Sequence, residues 1–247
     1  MFRKVLQPLY TLYVVLTFLI SLIIVFPLVA LVSTGNSIKA RRGIYGILKT
    51  WSTIWLALIG MPLVKRGVRP AKGRYIVVAN HISYMDTIVI FPAMPGYFRV
   101  LGKKEFARIP VVGFIYKQLV ILVDRSNNVS RAISMRLMWR VLRREGSIMI
   151  FPEGTFNETD APLKSFYDGA FRLALTTGAD ILPIVFPDTL HRWHYSHWWK
   201  MWPGRNRVVY LPPVPVAGMT LEQLPELKTR VYGLMEAELQ KYRQPRQ

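Results

Sequence analysis

Cysteine is absent from all 247 residues. That excludes disulfides, thiolate nucleophiles and thiolate metal sites, and leaves the redox compartment open. Acidic residues are scarce: 14 Asp and Glu stand against 33 Lys and Arg, a formal charge of +19. Such a surplus selects anionic partners, whether nucleic acid, acidic lipid or a phosphorylated substrate. Charge of either sign is missing from Val5 to Ile38, a run of 34 positions. A bilayer core is crossed by about 20 apolar helical residues, so this run is long enough to span. The apolar region of a cleaved signal is only about 7–15 residues, so the run reads as an anchor. It also turns the choice of partner toward lipid headgroups and away from nucleic acid, and nothing in the chain resembles a zinc finger.

What is present fits one sizeable core behind that anchor. Mean hydropathy is +0.23, high for a purely soluble protein. Arg3 and Lys4 precede the apolar run, and Lys39, Arg41 and Arg42 follow it. Positive charge on both flanks gives little orientation signal. A second apolar stretch, Thr50–Val64, carries Trp51 and Trp55. It reads as a helix in or dipping into the interface, with its Trp side chains at headgroup depth. The alternative is a packed helix of the globular part. The division expected is a membrane-anchoring helical region over 1–66 and an α/β domain over 67–247.

In the second region strands and helices alternate, which predicts an α/β fold. Strands are expected at Tyr75–Ala79, Tyr97–Leu101, Ser147–Phe151, Ile181–Phe186 and Arg207–Leu211. Leu119–Val123 is weakly strand-like, although Val111–Leu122 suits a helix equally. Helices are expected from Asp86 to Phe91, from an Asn128 or Ser130 cap to Arg144, and over Phe166–Gly178. A last helix should start behind a Thr220/Gln223 capping box and run toward Lys241. Pro183 inside a strand predicts an edge, a bulge or a strand start. No internal repeat is present.

Two motifs carry the chemistry. Asn80 and His81 follow a strand, where α/β folds commonly place reactive groups. An imidazole with an ordinary pKa of about 6.5 accepts a hydroxyl proton and later returns it to a leaving group. Asp86, five residues on, suits an orienting carboxylate. A hydrogen-bonded His beside a capping Asp is the plainer alternative. The second motif is Phe151-Pro152-Glu153-Gly154-Thr155. Pro stiffens the approach and Gly allows a tight turn. Glu153 suits a hydroxyl or a neighbouring backbone amide, and Gly154 would offer amide N–H groups to a phosphate or acyl carbonyl. A plain turn carrying Glu is the competing account.

Taken with Gly102-Lys103-Lys104-Glu105 and Ile181-Leu182-Pro183-Ile184, these segments closely resemble, in order, the four blocks of the glycerolipid acyltransferases. The bacterial 1-acylglycerol-3-phosphate acyltransferases are the nearest likeness, over about residues 74–190. The resemblance implies a mixed sheet flanked by helices, with membrane-associated helices in front. It implies acyl transfer from acyl-CoA or acyl-carrier protein to the free hydroxyl of a lysophospholipid, without further cofactor or metal. It assigns His81 as base and Asp86 as its partner. Lys103, Lys104, Glu153, Gly154 and Thr155 would contact acceptor phosphate and glycerol, with Arg125 a further cation. Pro183 would shape the site or bind the donor. The expected setting is an inner or plasma membrane with the catalytic domain facing the cytoplasm.

One position departs from the pattern. Phe156 stands where the third block commonly continues with a basic or small polar residue, and Phe cannot pair with phosphate. Either Arg125, Lys104, Lys164 or Arg172 takes that part, or the acceptor is another lysolipid, such as an amino-acid lipid. Ser83 lies in no nucleophile elbow, so transfer is expected to be direct. Arg131, Arg136, Arg140, Arg143 and Arg144 suit either an anionic lipid surface or a solvated helix face. The segment His191–Trp202, with three His and four Trp, reads as interfacial contact or loop packing rather than a metal site, since it holds no acidic ligand.

Overall fold

The protein is described here by a computed structural model, over residues 2–35, 37–124 and 126–242. The chain opens with helices α1 (Phe2–Ser33) and α2 (Ile38–Leu58), then strands β1 (Leu63–Gly67) and β2 (Ile76–Ala79). Helix α3 (Asp86–Ala93), β3 (Phe98–Lys103), α4 (Val112–Leu119) and β4 (Val120–Val123) follow. Next come α5 (Asn128–Arg144), β5 (Ser147–Ile150), α6 (Gly169–Thr177) and β6 (Ile181–Val185). The short α7 (Thr189–Arg192), β7 (Asn206–Tyr210) and α8 (Leu224–Gln240) complete the order. The seven strands form one sheet in the order β1-β7-β6-β2-β5-β3-β4, the mixed α/β arrangement expected.

The chain divides into two compact units. One comprises Met1–Lys65, Ile82–Met94 and Phe186–Val208; the other Arg66–His81, Pro95–Val185 and Val209–Gln247. In the second unit β2 lies between β5 and β6, parallel to both, with Val78 opposite Ile150 on one side and Pro183 on the other. Strand β3 runs parallel to β5 and β4, whereas β6 and β7 are antiparallel. The central strands are buried along their whole length, as parallel strands covered on both faces must be. Helices α5, α6 and α8 supply the apolar stripe: Met138, Val141, Phe171, Leu227, Val231 and Met235 pack with Ile76, Ile148 and Ile181. Gly178 ends α6 in the left-handed region, at φ 66°.

Pro183 sits inside an interior strand, and the ladder explains how. Ile181 exchanges both backbone hydrogen bonds with Val214, so alternation points the nitrogen of residue 183 toward the same side. There Leu211 donates to the Pro183 carbonyl, and Pro212 and Pro213 interrupt the partner. The interruption removes the need for an N–H at this place. The alternatives over 111–123 are both realised, as α4 followed by β4. Helix α5 is capped by Asn127, whose side chain accepts from the Ser130 N–H, rather than by Asn128 or Ser130. The Thr220/Gln223 capping box forms as expected.

In the first unit, Leu6–Ser33 is, among the described residues, the one helix long and apolar enough to cross a membrane. Leu12, Leu19, Ile23 and Leu31 are exposed along it. The stretch Thr50–Val64 is not a separate helix: it is the end of α2, whose first turns carry Lys39, Arg41 and Arg42, and the start of β1. The tryptophans differ from expectation as well. Trp51 and Trp55 turn onto Phe18 of α1, at centroid distances of 5.7 and 5.4 Å. Their indole N–H groups donate to Ser21 and Thr17. Fixed hydroxyl acceptors on α1 pair with the indoles, so these side chains join the helix pair.

Within the second unit, Phe171 is fully buried. Phe171→Ala should lower unfolding stability by about 3–5 kcal/mol, measured by denaturant titration in detergent. A loss below about 1 kcal/mol would show that this face is not the close-packed core described.

Candidate active site

Register levels the two motifs. Val78 is opposite Ile150, so His81 and Glu153 each lie three residues past that rung, at the carboxyl ends of adjacent strands. A carboxylate on a turn beside one strand end thus reaches the backbone emerging from the other. Glu153 is 1% exposed; its Oε1 accepts from the His81 N–H at 2.8 Å and its Oε2 from the Lys164 N–H at 2.8 Å. From the other direction, the His81 carbonyl accepts from the Asn157 N–H at 2.8 Å. Both backbone groups of His81 are therefore held by the Phe151–Asn157 turn.

The imidazole is held as tightly as the backbone. It stacks on Phe151, with centroids 4.0 Å apart and planes 17° apart. Phe156 meets it edge-on at 4.4 Å. Phe156, anomalous as a phosphate contact, is a wall of the histidine. Asn157 is buried and organises the loop, accepting from the Thr159 N–H and hydroxyl and donating to the Ala161 carbonyl. Neither Phe156 nor Asn157 was marked as a site residue by sequence reasoning. The signal was there in position, immediately after the third block, but nothing in residue type announces a ring wall or a loop brace.

Gly154 adopts φ 77°, a region that disfavours any side chain. Its N–H, however, donates to the Phe151 carbonyl. The donor expected to face a phosphate is spent closing the turn, and the residue's contribution is backbone shape. Thr155 is exposed, and its hydroxyl accepts from Lys164 Nζ at 3.1 Å.

The second block lies at the end of β3. A Cβ at Gly102 would come within 2.0 Å of the Tyr116 hydroxyl and 2.7 Å of Val120, so only glycine lets this strand pass α4. Tyr116 donates to the Lys103 carbonyl. Lys103 and Lys104 are both exposed, and Lys104 is paired with Asp124. The hydrogen bond from Lys104, then those from Ser126, hold the Asp124 carboxyl down at about 2. Arg125 lies outside the described residues. Pro183, opposite Val78, is buried below the rung from which His81 emerges.

Asp86 belongs to the first unit and is fully buried at the start of α3. Its Oδ2 accepts from the Ile82 and Ser83 N–H groups at 2.8 and 2.9 Å. The carboxylate is thus turned back along the chain, onto the two residues that directly follow His81. Ser83 is equally buried, donating to the Trp193 carbonyl at 2.5 Å and accepting from the Met85 N–H. Its hydroxyl is a turn brace. The His194 and His197 rings share the Ser196 hydroxyl, at 2.8 and 2.6 Å. No group of three His, Cys, Asp or Glu suited to a metal occurs among the described residues.

A family model described as Acyltransferase matches residues 63–187, about half of the chain. The chain belongs to the acyltransferase family. Among curated relatives, the 1-acyl-sn-glycerol-3-phosphate acyltransferase of Limnanthes alba is 29% identical over 199 residues, 79% of this chain and 69% of the relative. The Haemophilus influenzae protein of the same name is 28% identical over 195 residues, 77% and 80% of the two chains. Among solved structures, the 1-acyl-sn-glycerophosphate (LPA) acyltransferase of Thermotoga maritima matches with a TM-score of 0.81 at 23% identity. It covers 99% of this chain and 100% of that one, and the likeness establishes the shared fold. The matched span of this acyltransferase contains His81, Asp86, the Gly102 block, the Glu153 turn and Pro183.

Two outcomes test this geometry. Glu153→Ala leaves the His81 and Lys164 N–H groups without their acceptor, and should destabilise the protein by about 1–3 kcal/mol, read from urea midpoints; an unchanged midpoint would contradict the clamp. For Asp124 the sign follows from its depressed pKa: the Lys104 pairing persists through neutral and mildly acidic pH and is lost as pH falls through about 2. Lys104→Ala should return the Asp124 titration, followed by carboxyl NMR, toward the ordinary range near 3.8. No movement would place Asp124 under other control.

Proposed function

We propose that this acyltransferase moves a fatty acyl group from acyl-CoA or an acyl-carrier protein to the free hydroxyl of 1-acyl-sn-glycerol-3-phosphate, yielding phosphatidic acid. The observation carrying the proposal is the immobilised imidazole. His81 is gripped at both backbone groups and walled by two phenyl rings. A general base gains most from such fixing, because proton transfer demands a set distance and angle. The names of the relatives supply the acceptor class.

In the proposed step His81 takes the acceptor hydroxyl proton while that oxygen attacks the thioester carbonyl carbon. A C–O bond forms, and the tetrahedral oxyanion is met by amide or cationic donors. The C–S bond then breaks, and the imidazolium proton passes to the departing thiolate. Asp86 is the orienting carboxylate, holding the tautomer that leaves the reacting nitrogen basic. That assignment follows the His81–Asp86 spacing of the first block. Thr155 with Lys164, and Lys103 with Lys104 and Arg125, are the proposed contacts to the acceptor phosphate and glycerol. Pro183 shapes the strand end beneath. Glu153 and Gly154 serve the reaction through the backbone.

No covalent acyl-enzyme is required. Cysteine is absent and the Ser83 hydroxyl is engaged. The acyl thioester is a co-substrate, and the step uses no further cofactor. Helix α1 supports membrane attachment; the setting proposed is a cell inner or plasma membrane with the catalytic residues toward the cytoplasm. Phe156 favours a second acceptor reading in one respect. With a ring where a cation is common, a lysolipid other than lysophosphatidate stays within reach of the same chemistry. A lipid-binding module without catalysis is the reading from another class.

His81→Ala should cut kcat by at least about 100-fold with lysophosphatidate and labelled acyl-CoA or acyl-carrier protein, while lysolipid binding persists. Activity retained within a few-fold would favour the binding module. Offering wild type a panel of lysolipids decides the acceptor, and turnover confined to another headgroup would replace lysophosphatidate in the proposal.

A further inference from the structure

Helices α5 and α6 carry six arginines between them, and neither a lysine nor an acidic residue. A groove of about 360 Å³ runs between them, lined by Met135, Arg136, Trp139, Arg140, Leu173 and Thr176. Arg136 and Arg140 are four residues apart, hence on one helix face. Both are exposed, and neither makes a hydrogen bond or ion pair among the described residues. Trp139 is 41% exposed, and the Arg143 guanidinium lies 4.8 Å from its ring centroid. Two like charges held side by side in water repel. A surface that keeps them there without a neutralising carboxylate is complementary to negative charge supplied from outside.

We infer that this groove docks the acyl donor in its protein-borne form: an acidic carrier protein that brings the fatty chain as a thioester. The inference rests on the acyl-transfer reading and selects one donor within it. Three features favour a protein partner over a lipid surface. The cations are all arginine, whose planar fork pairs bidentately with carboxylates. An exposed Trp sits among them, and Trp and Arg dominate the energetics of protein interfaces. Met135 and Leu173 give the groove an apolar floor for a partner side chain.

Position agrees with delivery. Helix α5 follows the carboxyl end of β4 and runs back along the sheet. At 1.5 Å per residue the groove lies about 10–18 Å along α5 from its start. A carrier docked there reaches the strand ends through a flexible arm, so the docking surface and the reacting atoms need not coincide. Acyl-CoA presents no protein surface, but its phosphates could pair with the same guanidinium groups, so the donor comparison has to separate the two.

The experiment compares donors. Wild type, Arg136→Glu/Arg140→Glu and Trp139→Ala are assayed with one acyl chain on acidic carrier protein and on CoA, across a salt series. Binding of the unacylated carrier protein is titrated alongside. The charge-reversed variant should lose at least about tenfold in kcat/KM with the carrier donor and most of its salt dependence, while acyl-CoA turnover stays within about twofold. Trp139→Ala should lose at least about fivefold in carrier affinity. If wild type uses only the carrier donor, the binding titration and an unchanged melting temperature decide in place of acyl-CoA. Equal loss with both donors, no loss with either, or turnover by wild type of acyl-CoA alone overturns the inference and leaves the reaction standing. A loss confined to binding of anionic phosphatidylglycerol vesicles also overturns it, in favour of a membrane contact. Turnover of neither donor by wild type removes the reaction itself and the docking surface with it.

Discussion

A carboxylate whose two oxygens each accept a backbone N–H cannot be moved without exposing both donors, and Glu153 is such a group. One oxygen holds the chain where it leaves β2, the other holds the loop at Lys164. Because β2 and β5 are adjacent and parallel, the clamp links two strand ends already level with one another. Sheet pairing provides coarse placement, and the carboxylate removes the remaining freedom. The position of the imidazole is thus set by strand pairing together with the packing of the 151–157 turn. This accounts for an acidic residue in a block otherwise expected to receive a phosphate: its charge is consumed by the protein.

The same economy recurs on the other side of His81. Asp86, at the head of α3, spends one oxygen on the two amides after the histidine, and Ser83 braces the turn against the Trp193 carbonyl. Each polar group that the chemistry might have claimed directly is first engaged in holding a bend. A buried acceptor with two N–H partners is stable in its place, because losing either strands a donor in the interior. The course of the chain around His81 depends here on a few hydrogen bonds.

Much of this was legible from residue order alone. Buried strands announced themselves as continuous apolar runs, and the Thr220/Gln223 box marked the turn that leads into the last helix. The histidine and glutamate motifs were recognisable because turns after parallel strands demand Pro, Gly and a hydrogen-bonding side chain at fixed offsets. What escaped depends on partners distant in sequence. Trp51 and Trp55 are amphipathic, and an interface or a helix pair satisfies such residues equally; only Phe18, Ser21 and Thr17 decide between them. Gly154 was expected to offer its N–H, but the turn it permits consumes that donor. Pro183 could be assigned to an interior strand only once the break at Pro212 and Pro213 was seen beside it. Phe156 was visible as a departure, and its partner ring was not.

On the proposed function, the partners of two cations bear on how the site would prefer a phosphate. Lys104 rests against Asp124, and Lys164 against a neutral hydroxyl. An approaching anion must compete with a carboxylate for the first, whereas the second is screened only by a weak acceptor. A single negative charge gains little by displacing Asp124 at an exposed position. A phosphate that bridges several donors at once gains more. With Phe156 against one edge of the half-buried imidazole, the proposed headgroup contacts are those of Thr155 and the end of β3. In the proposed reaction, a ring-lined base beside an exposed cationic edge would let one small site hold an alcohol that is both a nucleophile and the neighbour of a charged group.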